Sequence, residues 1–252
     1  MISKKVVLII QARMGSTRLP GKSMMDLAGA PLVGRILERV KRCKNIHQIV
    51  LAIPNLKEDH VLIDLAERYA VSCFAGSERN LVDRYYDAAV WSEASIIVRL
   101  PADNATPEPE EIDRIVDFHL SLECRGFTSN LSSINNSGYP DGIGAEVFDF
   151  SLLQDVKKRG NSSIEQLEHL HLNFYDYSLG KEINKNWCPV NTVICPVEFR
   201  RPDLILDVNT LSQYHFMLEL YTYLYPKNPN FHITDTIKWY DKVYLKELNY
   251  RN

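Results

Sequence analysis

The residues Gln11–Lys22, QARMGSTRLPGK, combine two glycines (Gly15, Gly21), two hydroxyls (Ser16, Thr17) and three cations (Arg13, Arg18, Lys22) directly after the apolar run VVLII. A loop of this kind wraps phosphates with backbone N–H groups while guanidinium and ammonium groups neutralise their charge. Its spacing is not that of a P-loop NTPase, which places four residues between its glycines; Gly15 and Gly21 enclose five. That motif also opens a helix right after its lysine, whereas MMDLAGAPL delays the helical pattern here. A second chemical candidate is Asp103, just past the apolar segment SIIVRL. The five cysteines are scattered with no CxxC pair, the pattern of reduced thiols rather than a disulfide framework or a zinc site. His169 and His171 fall at i, i+2 in an expected helix and would face different sides, a poor arrangement for joint metal ligation.

The elements that must position these groups follow from apolar periodicity. Val6–Ile10 reads as a buried strand, as do Gln48–Pro54, Val71–Phe74 and Ser95–Leu100. Between them, helical periods start near Pro31 (LVGRILERVKRC) and cover 57–70, 80–92 and Glu108–Leu122. Alternation of this kind predicts a parallel sheet covered on both faces, with its ligand at the carboxyl ends of the strands. The loops after Ile10, Pro54, Phe74 and Leu100 should therefore line the site. After residue 125 the pattern loosens. Turn-rich NNSGYPDGIGAEVF precedes helices at 151–159 and near 161–174, a strand at 203–208 and a helix at 211–225. VFDF, which follows Glu146, is expected as an edge strand able to face a second copy. No linker divides the halves, so one domain over 1–252 is expected, with a regular first half, 1–125, and an elaborated second half, 126–252, that carries the C-terminal helices.

Composition narrows the function classes. Hydrophobic residues are 45% and charged residues 24% of the 252, which excludes a disordered or low-complexity chain. Twenty-nine basic against 32 acidic side chains, net charge -3, leave no global basic excess for nucleic-acid binding. No apolar run reaches the 18 residues of a membrane span, and the five-residue run near the N-terminus is too short for a signal peptide, so no membrane partner and a cytoplasmic location are expected.

The segment IIQARMGSTRLPGKSMMDLAGAPLV resembles the nucleotide-binding loop of the cytidylyltransferase superfamily that includes the CMP-sialate and CMP-octulosonate synthetases. Within it, the spore-coat-polysaccharide cytidylyltransferase-like branch is most similar. The resemblance continues in order through AGSERNLVDRYYDAA (Ala75–Ala89), VRLPADNATPEPEEID, YPDGIGAEVF (Tyr139–Phe148), Leu167–His169 and LDVNT. It implies an α/β, Rossmann-like nucleotide-diphospho-sugar transferase fold, with a mixed, mostly parallel sheet and helices on both faces. The activity it implies is Mg²⁺-dependent transfer of CMP from CTP to a sugar acid or related small-molecule acceptor, releasing pyrophosphate, for surface polysaccharide or glycoconjugate synthesis. A homodimer is implied as well.

Residue by residue, the resemblance makes Arg13, Lys22 and Asp103 catalytic. It assigns CTP contacts to Gln11, Ala12, Arg13, Gly15, Ser16, Arg18, Lys22, Gly76, Arg84 and Ala102, and acceptor contacts to Tyr139, Asp141 and Glu146. The metal ligands it implies are Asp103 and a residue of LDVNT. Aligned to the family's VDT, that residue is Asn209, a neutral amide; Asp207, two positions away on the same strand face, could support or replace it. Other departures cluster nearby: Pro101, Asn104-Ala105 and Arg79-Asn80 replace the family's threonine, Cys-Pro and acidic pair. An altered or inactive nucleotide-binding protein of the same fold, or a transferase using another nucleoside triphosphate, stays open at this point.

Overall fold

In the computed structural model, residues 4–130 and 137–246 are described; Met1–Ser3 and the first two residues of the turn-rich NNSGYPDGIGAEVF lie outside them. Strand β1 (Val6–Gln11) lies inside the main sheet. It pairs in parallel with β2 (Gln48–Pro54) on one side and β4 (Ile96–Pro101) on the other, and β3 (Ser72–Gly76) joins β2. Being covered on both faces, β1 and β4 are apolar without alternation, apart from Gln11 and Arg99. Val6, Leu8 and Ile10 enter one core and Val7 and Ile9 the other, as the two-residue period of a strand requires.

The first core is closed by α1 (Leu32–Val40), α2 (Val61–Arg68), α4 (Pro109–Ser121) and α7 (Leu211–Leu224). The second is closed by α3 (Leu81–Trp91) and α5 (Phe150–Arg159). The sheet then turns mixed. β6 (Glu146–Asp149) runs antiparallel to β4 and to β5 (Phe127–Ser129), giving the order β3-β2-β1-β4-β6-β5-β9 with β9 at Val190–Asn191. The expected mixed, mostly parallel sheet with helices on both faces is thus what the chain forms.

Three expectations need correction. VFDF is no edge: β6 is hydrogen-bonded on both sides, and Phe150 already opens α5. The helix expected near 161–174 breaks at His169, between α6 (Ile164–Glu168) and a 3-10 turn at Leu170–Asn173. It leads into the hairpin of β7 (Tyr175–Asp176) and β8 (Lys181–Glu182). The segment 203–208 alternates as a strand would, burying Leu204, Leu206 and Val208, but joins no sheet. It crosses the strand ends and pairs with two loops instead, through the bridges Asp141↔Ile205 and Asn104↔Asp207.

Helix α8 (Ile233–Trp239) is tied in by a buried knot. Arg39 on α1 donates to the carbonyls of Pro107 and Phe231 and pairs with Glu108, whose carboxylate also accepts the Ile233 N–H at 2.8 Å.

Candidate active site

A cavity of about 830 Å³ opens at the carboxyl ends of β1 and β4. The loop after β1 forms its roof, held by two anchors. The Ser23 hydroxyl donates to the Arg13 carbonyl at 2.9 Å, and the Met14 N–H donates to Asp59 Oδ1 at 2.6 Å. Gly21 lies at φ +73°, the left-handed region that glycine occupies without strain, and the chain then turns into the short helix carrying Lys22.

Lys22 reaches down into the floor. Its Nζ donates to the Val208 carbonyl at 2.7 Å and lies 3.4 Å from Asp103 Oδ2 and 3.3 Å from Asn209 Oδ1. Asn209 Oδ1 also accepts from Arg18 Nη2 at 2.6 Å, while the Asn209 amide donates to Asp207. Three carboxylates gather around this knot because the 203–208 segment bridges two loops. The Val208 N–H donates to the Asp103 carbonyl at 2.8 Å, the Leu206 N–H to the Asp141 carbonyl at 3.0 Å, and the Asp141 N–H to the Leu204 carbonyl at 3.0 Å.

The electrostatics follow from that crowding. Burial, then the Asp141 and Asp103 charges, push the Asp207 carboxyl up to about 6, against a smaller opposing pull from Lys22. Asp141 is raised too, by burial and by Asp103. Asp207 Oδ1 is buried with no hydrogen-bond partner. A carboxylate oxygen left unpaired among like charges is what a divalent cation would relieve. Asp103 and Asp207 therefore fit such an ion, although with Asp141 they do not bring one oxygen each within 4.8 Å of one another. Among the described residues the compact trio of that kind is Glu108, Glu110 and His232, none of which lines the cavity.

A phosphate-type loop over clustered carboxylates, at the carboxyl ends of a parallel sheet, matches one family. The cytidylyltransferase family model covers residues 7–184. The chain belongs to the cytidylyltransferase family. It is 29% identical to the spore coat polysaccharide biosynthesis protein SpsF of Bacillus subtilis over 220 residues, 86% of each chain. It is 30% identical to the 3-deoxy-manno-octulosonate cytidylyltransferase of an Anaeromyxobacter species over 115 residues, 45% of this chain and 46% of the other. A cytidylyltransferase structure from Leptospira borgpetersenii superposes with a TM-score of 0.82 at 27% identity, covering 95% of both chains.

In this cytidylyltransferase, the residues named from sequence largely converge. Gln11, Ala12, Arg13, Ser16, Arg18, Lys22, Arg84, Ala102, Asp103, Asp141, Glu146, Asp207 and Asn209 all line the cavity. Gly15, Gly76 and Tyr139 do not. Gly76 acts at one remove: a Cβ there would stand 2.9 Å from the Phe74 ring and 3.2 Å from Arg84 Cγ, so its bareness seats Arg84. Tyr139 is fully buried in the first core, and its hydroxyl is engaged by Glu111 and Arg114.

The far wall holds Arg99 and Tyr177, which the sequence did not single out, and His171, which it did not place at the site. Arg99, inside β4, forms a buried ion pair with Glu146 at 2.6 Å and donates to Gln11 Oε1 at 3.2 Å. Tyr177 donates to Glu146 Oε1 at 2.9 Å, and burial together with that carboxylate holds its hydroxyl well above the ordinary range. The His171 ring sits 4.9 Å from that of Tyr177. Its Nδ1 is buried without a partner, and burial lowers the imidazole to about 4, so it is neutral at pH 7. The charged residue in the otherwise apolar IIVRLP was a readable signal for Arg99; the histidines depended on the helix break at His169.

Proposed function

We propose that this cytidylyltransferase takes CTP and a sugar acid or related hydroxyl acceptor and forms a CMP-conjugate and pyrophosphate. The acceptor oxygen attacks the α-phosphorus, the bond to the β-phosphate's bridging oxygen breaks, and pyrophosphate leaves with that electron pair. The acceptor proton passes to a cavity carboxylate or water. The observation that carries this is the meeting of Lys22, Asp103 and Asp207 beneath a loop that also holds Arg13 and Arg18. Negative charge accumulates on both the attacked phosphoryl group and the leaving pyrophosphate, and fixed cations stabilise it without reorganisation.

Each residue has a part in that chemistry. Arg13, Arg18 and Lys22 neutralise the triphosphate. Asp103 and Asp207 would hold Mg²⁺, which when bound supplies Lewis-acid charge at the α-phosphoryl group. Asn209 orients Arg18 and Lys22 with its oxygen while its amide donates to Asp207, a dual role that a carboxylate cannot fill. This gives the departure from VDT a physical account. Glu146, Tyr177, His169 and His171 form the wall left for the acceptor.

Similarity to SpsF supports a place in surface polysaccharide synthesis. We read the chain as one folding unit acting in the cytoplasm as a homodimer; sedimentation at micromolar concentration tests the dimer. Incubating the protein with CTP, Mg²⁺ and a panel of keto-sugar acids should release pyrophosphate. No release with any acceptor, together with no CTP binding by calorimetry, overturns the proposal.

A further inference from the structure

The cations of the cavity are unevenly placed. Arg13, Arg18 and Lys22 belong to the loop after β1, and Arg79 and Arg84 follow β3, beyond β2 on one side of it. On the opposite side, past β4, β6 brings Glu146, with Tyr177 and His171 against it. The loop cations face the phosphates in the function proposed above, which leaves this opposite side to the acceptor.

Among the described residues lining that side, Arg99 is the permanent cation, and its partners are already in place. It is 6% exposed, pairs with Glu146 at 2.6 Å and donates to Gln11 Oε1 at 3.2 Å. Glu146, 4% exposed, also accepts from Tyr177, so hydrogen bonds close the pair and it carries no net charge. A guanidinium already neutralised by a carboxylate offers a second carboxylate little net attraction, and separating a buried pair is strongly disfavoured. His171 adds no charge either. An imidazolium needs a hydrogen-bond partner for each N–H, and the Nδ1 of His171 is buried with none. His169 is exposed and directly follows Glu168, whose carboxylate lines the same cavity. Asp103 and Asp141 line it too. An anionic group arriving here therefore meets like charge and uncharged donors, with no free guanidinium or ammonium to receive it.

We propose that the acceptor side reads hydroxyl groups and no carboxylate, so that an uncharged polyol or sugar is as good an acceptor as the sugar acid of the same shape. The inference rests on the cytidylyl-transfer reading above and narrows it to the hydroxyl. The polar atoms present suit that chemistry: the Glu168 carboxylate accepts, and the neutral imidazole of His171 carries one donor and one acceptor nitrogen. Nothing beyond CTP and the alcohol is consumed. The hydroxyl oxygen bonds to the α-phosphorus, pyrophosphate leaves with the electron pair of the broken bond, and the hydroxyl proton passes to a cavity carboxylate or water.

Rates of pyrophosphate release from CTP and Mg²⁺ test this with two probes, a 3-deoxy-2-keto sugar acid and its primary carboxamide, which keeps the shape and loses the charge. With wild type, the amide should reach at least about a third of the acid's kcat/KM, the scale of a screened charge contact. Glu146→Gln keeps an oxygen for Tyr177 but leaves the Arg99 charge unpaired. It should shift the ratio toward the acid by roughly tenfold or more, as a new charge-assisted contact would. Replacing both members, Arg99→Gln with Glu146→Gln, should restore the wild-type ratio. A wild-type preference for the acid beyond that range overturns the inference. If Arg99→Gln or His169→Gln then erases the preference, that residue is the carboxylate reader. An unshifted ratio in folded Glu146→Gln overturns it as well, and should that variant not fold, the wild-type comparison decides alone. No pyrophosphate from wild type with the acid, the amide or a neutral polyol would instead overturn the cytidylyl-transfer reading itself.

Discussion

At the scale of single residues, charge governs the site. Among the described residues, Lys22 is the loop cation that touches both the Asp103 carboxylate and the backbone of the 203–208 segment. Lys22→Ala should weaken CTP by roughly tenfold to a hundredfold and CMP much less, since charge-assisted phosphate contacts are worth about 1.5–3 kcal/mol each; paired calorimetry checks it. Asp207 has the opposite economy. Its carboxylate is disfavoured by burial and by Asp141 and Asp103, so Asp207→Asn should raise the melting temperature of the ligand-free protein at pH 7.5. The same change should abolish turnover while CTP affinity stays within several-fold. A lower melting temperature would show that the Asn209 amide bond to Asp207 outweighs the repulsion. His171 supplies a pH dependence. Its folded-state value is about 4 against 6.5 for a free imidazole, so its contribution is full above pH 6.5 and is lost as pH falls toward 4. That loss is about 3 kcal/mol when complete. Melting curves between pH 7 and 4.5 should fall more steeply for wild type than for His171→Gln, and parallel curves would refute the assignment.

At the scale of elements, the site depends on a loop-to-loop crossing. Gly142 sits at φ +91°, and a Cβ on it would stand 2.9 Å from Asp207 N and from Leu206 C. Gly142→Ala must therefore strain the backbone and push Asp207 from Asp103. We expect a loss of about 1–3 kcal/mol in unfolding free energy and a larger proportional loss of turnover than of CTP binding. Denaturant titration and kinetics on one variant read both. This crossing is also where sequence reading stopped. The alternation of Leu204, Leu206 and Val208 correctly marked extended, half-buried chain. Periodicity does not say which neighbour such a segment meets, and here the neighbours are the loops at 103–104 and 141 rather than a strand. VFDF failed for a related reason: strand character was legible, but its position between β4 and β5 is set by long-range pairing.

At the scale of the whole molecule, the parallel half was the most legible. β2 is observed over the expected Gln48–Pro54, because a short β-branched run bounded by turn residues has few alternatives inside a doubly covered sheet. Most of the residues named from sequence meet in one cavity because strand ends in such a sheet gather there whatever their separation along the chain. Less legible were side chains whose role comes from three dimensions alone. Arg99 reads as a lone charge in an apolar strand until Glu146 is seen 2.6 Å away. Among the described residues, no helix is long and apolar enough to cross a membrane.

On the function proposed above, CMP changes partners at the carboxylates under the phosphate loop. The most direct measurement is pyrophosphate release, with mass spectrometry of the products, from CTP, Mg²⁺ and a panel of sugar acids and related hydroxyl acceptors, run side by side on wild type, Asp103→Asn and Asp207→Asn. A CMP-conjugate should form with wild type in step with pyrophosphate, and disappear in both variants while they still bind CTP. Conjugate formation that continues undiminished in Asp103→Asn and Asp207→Asn would contradict the claim and move the chemistry elsewhere in the cavity.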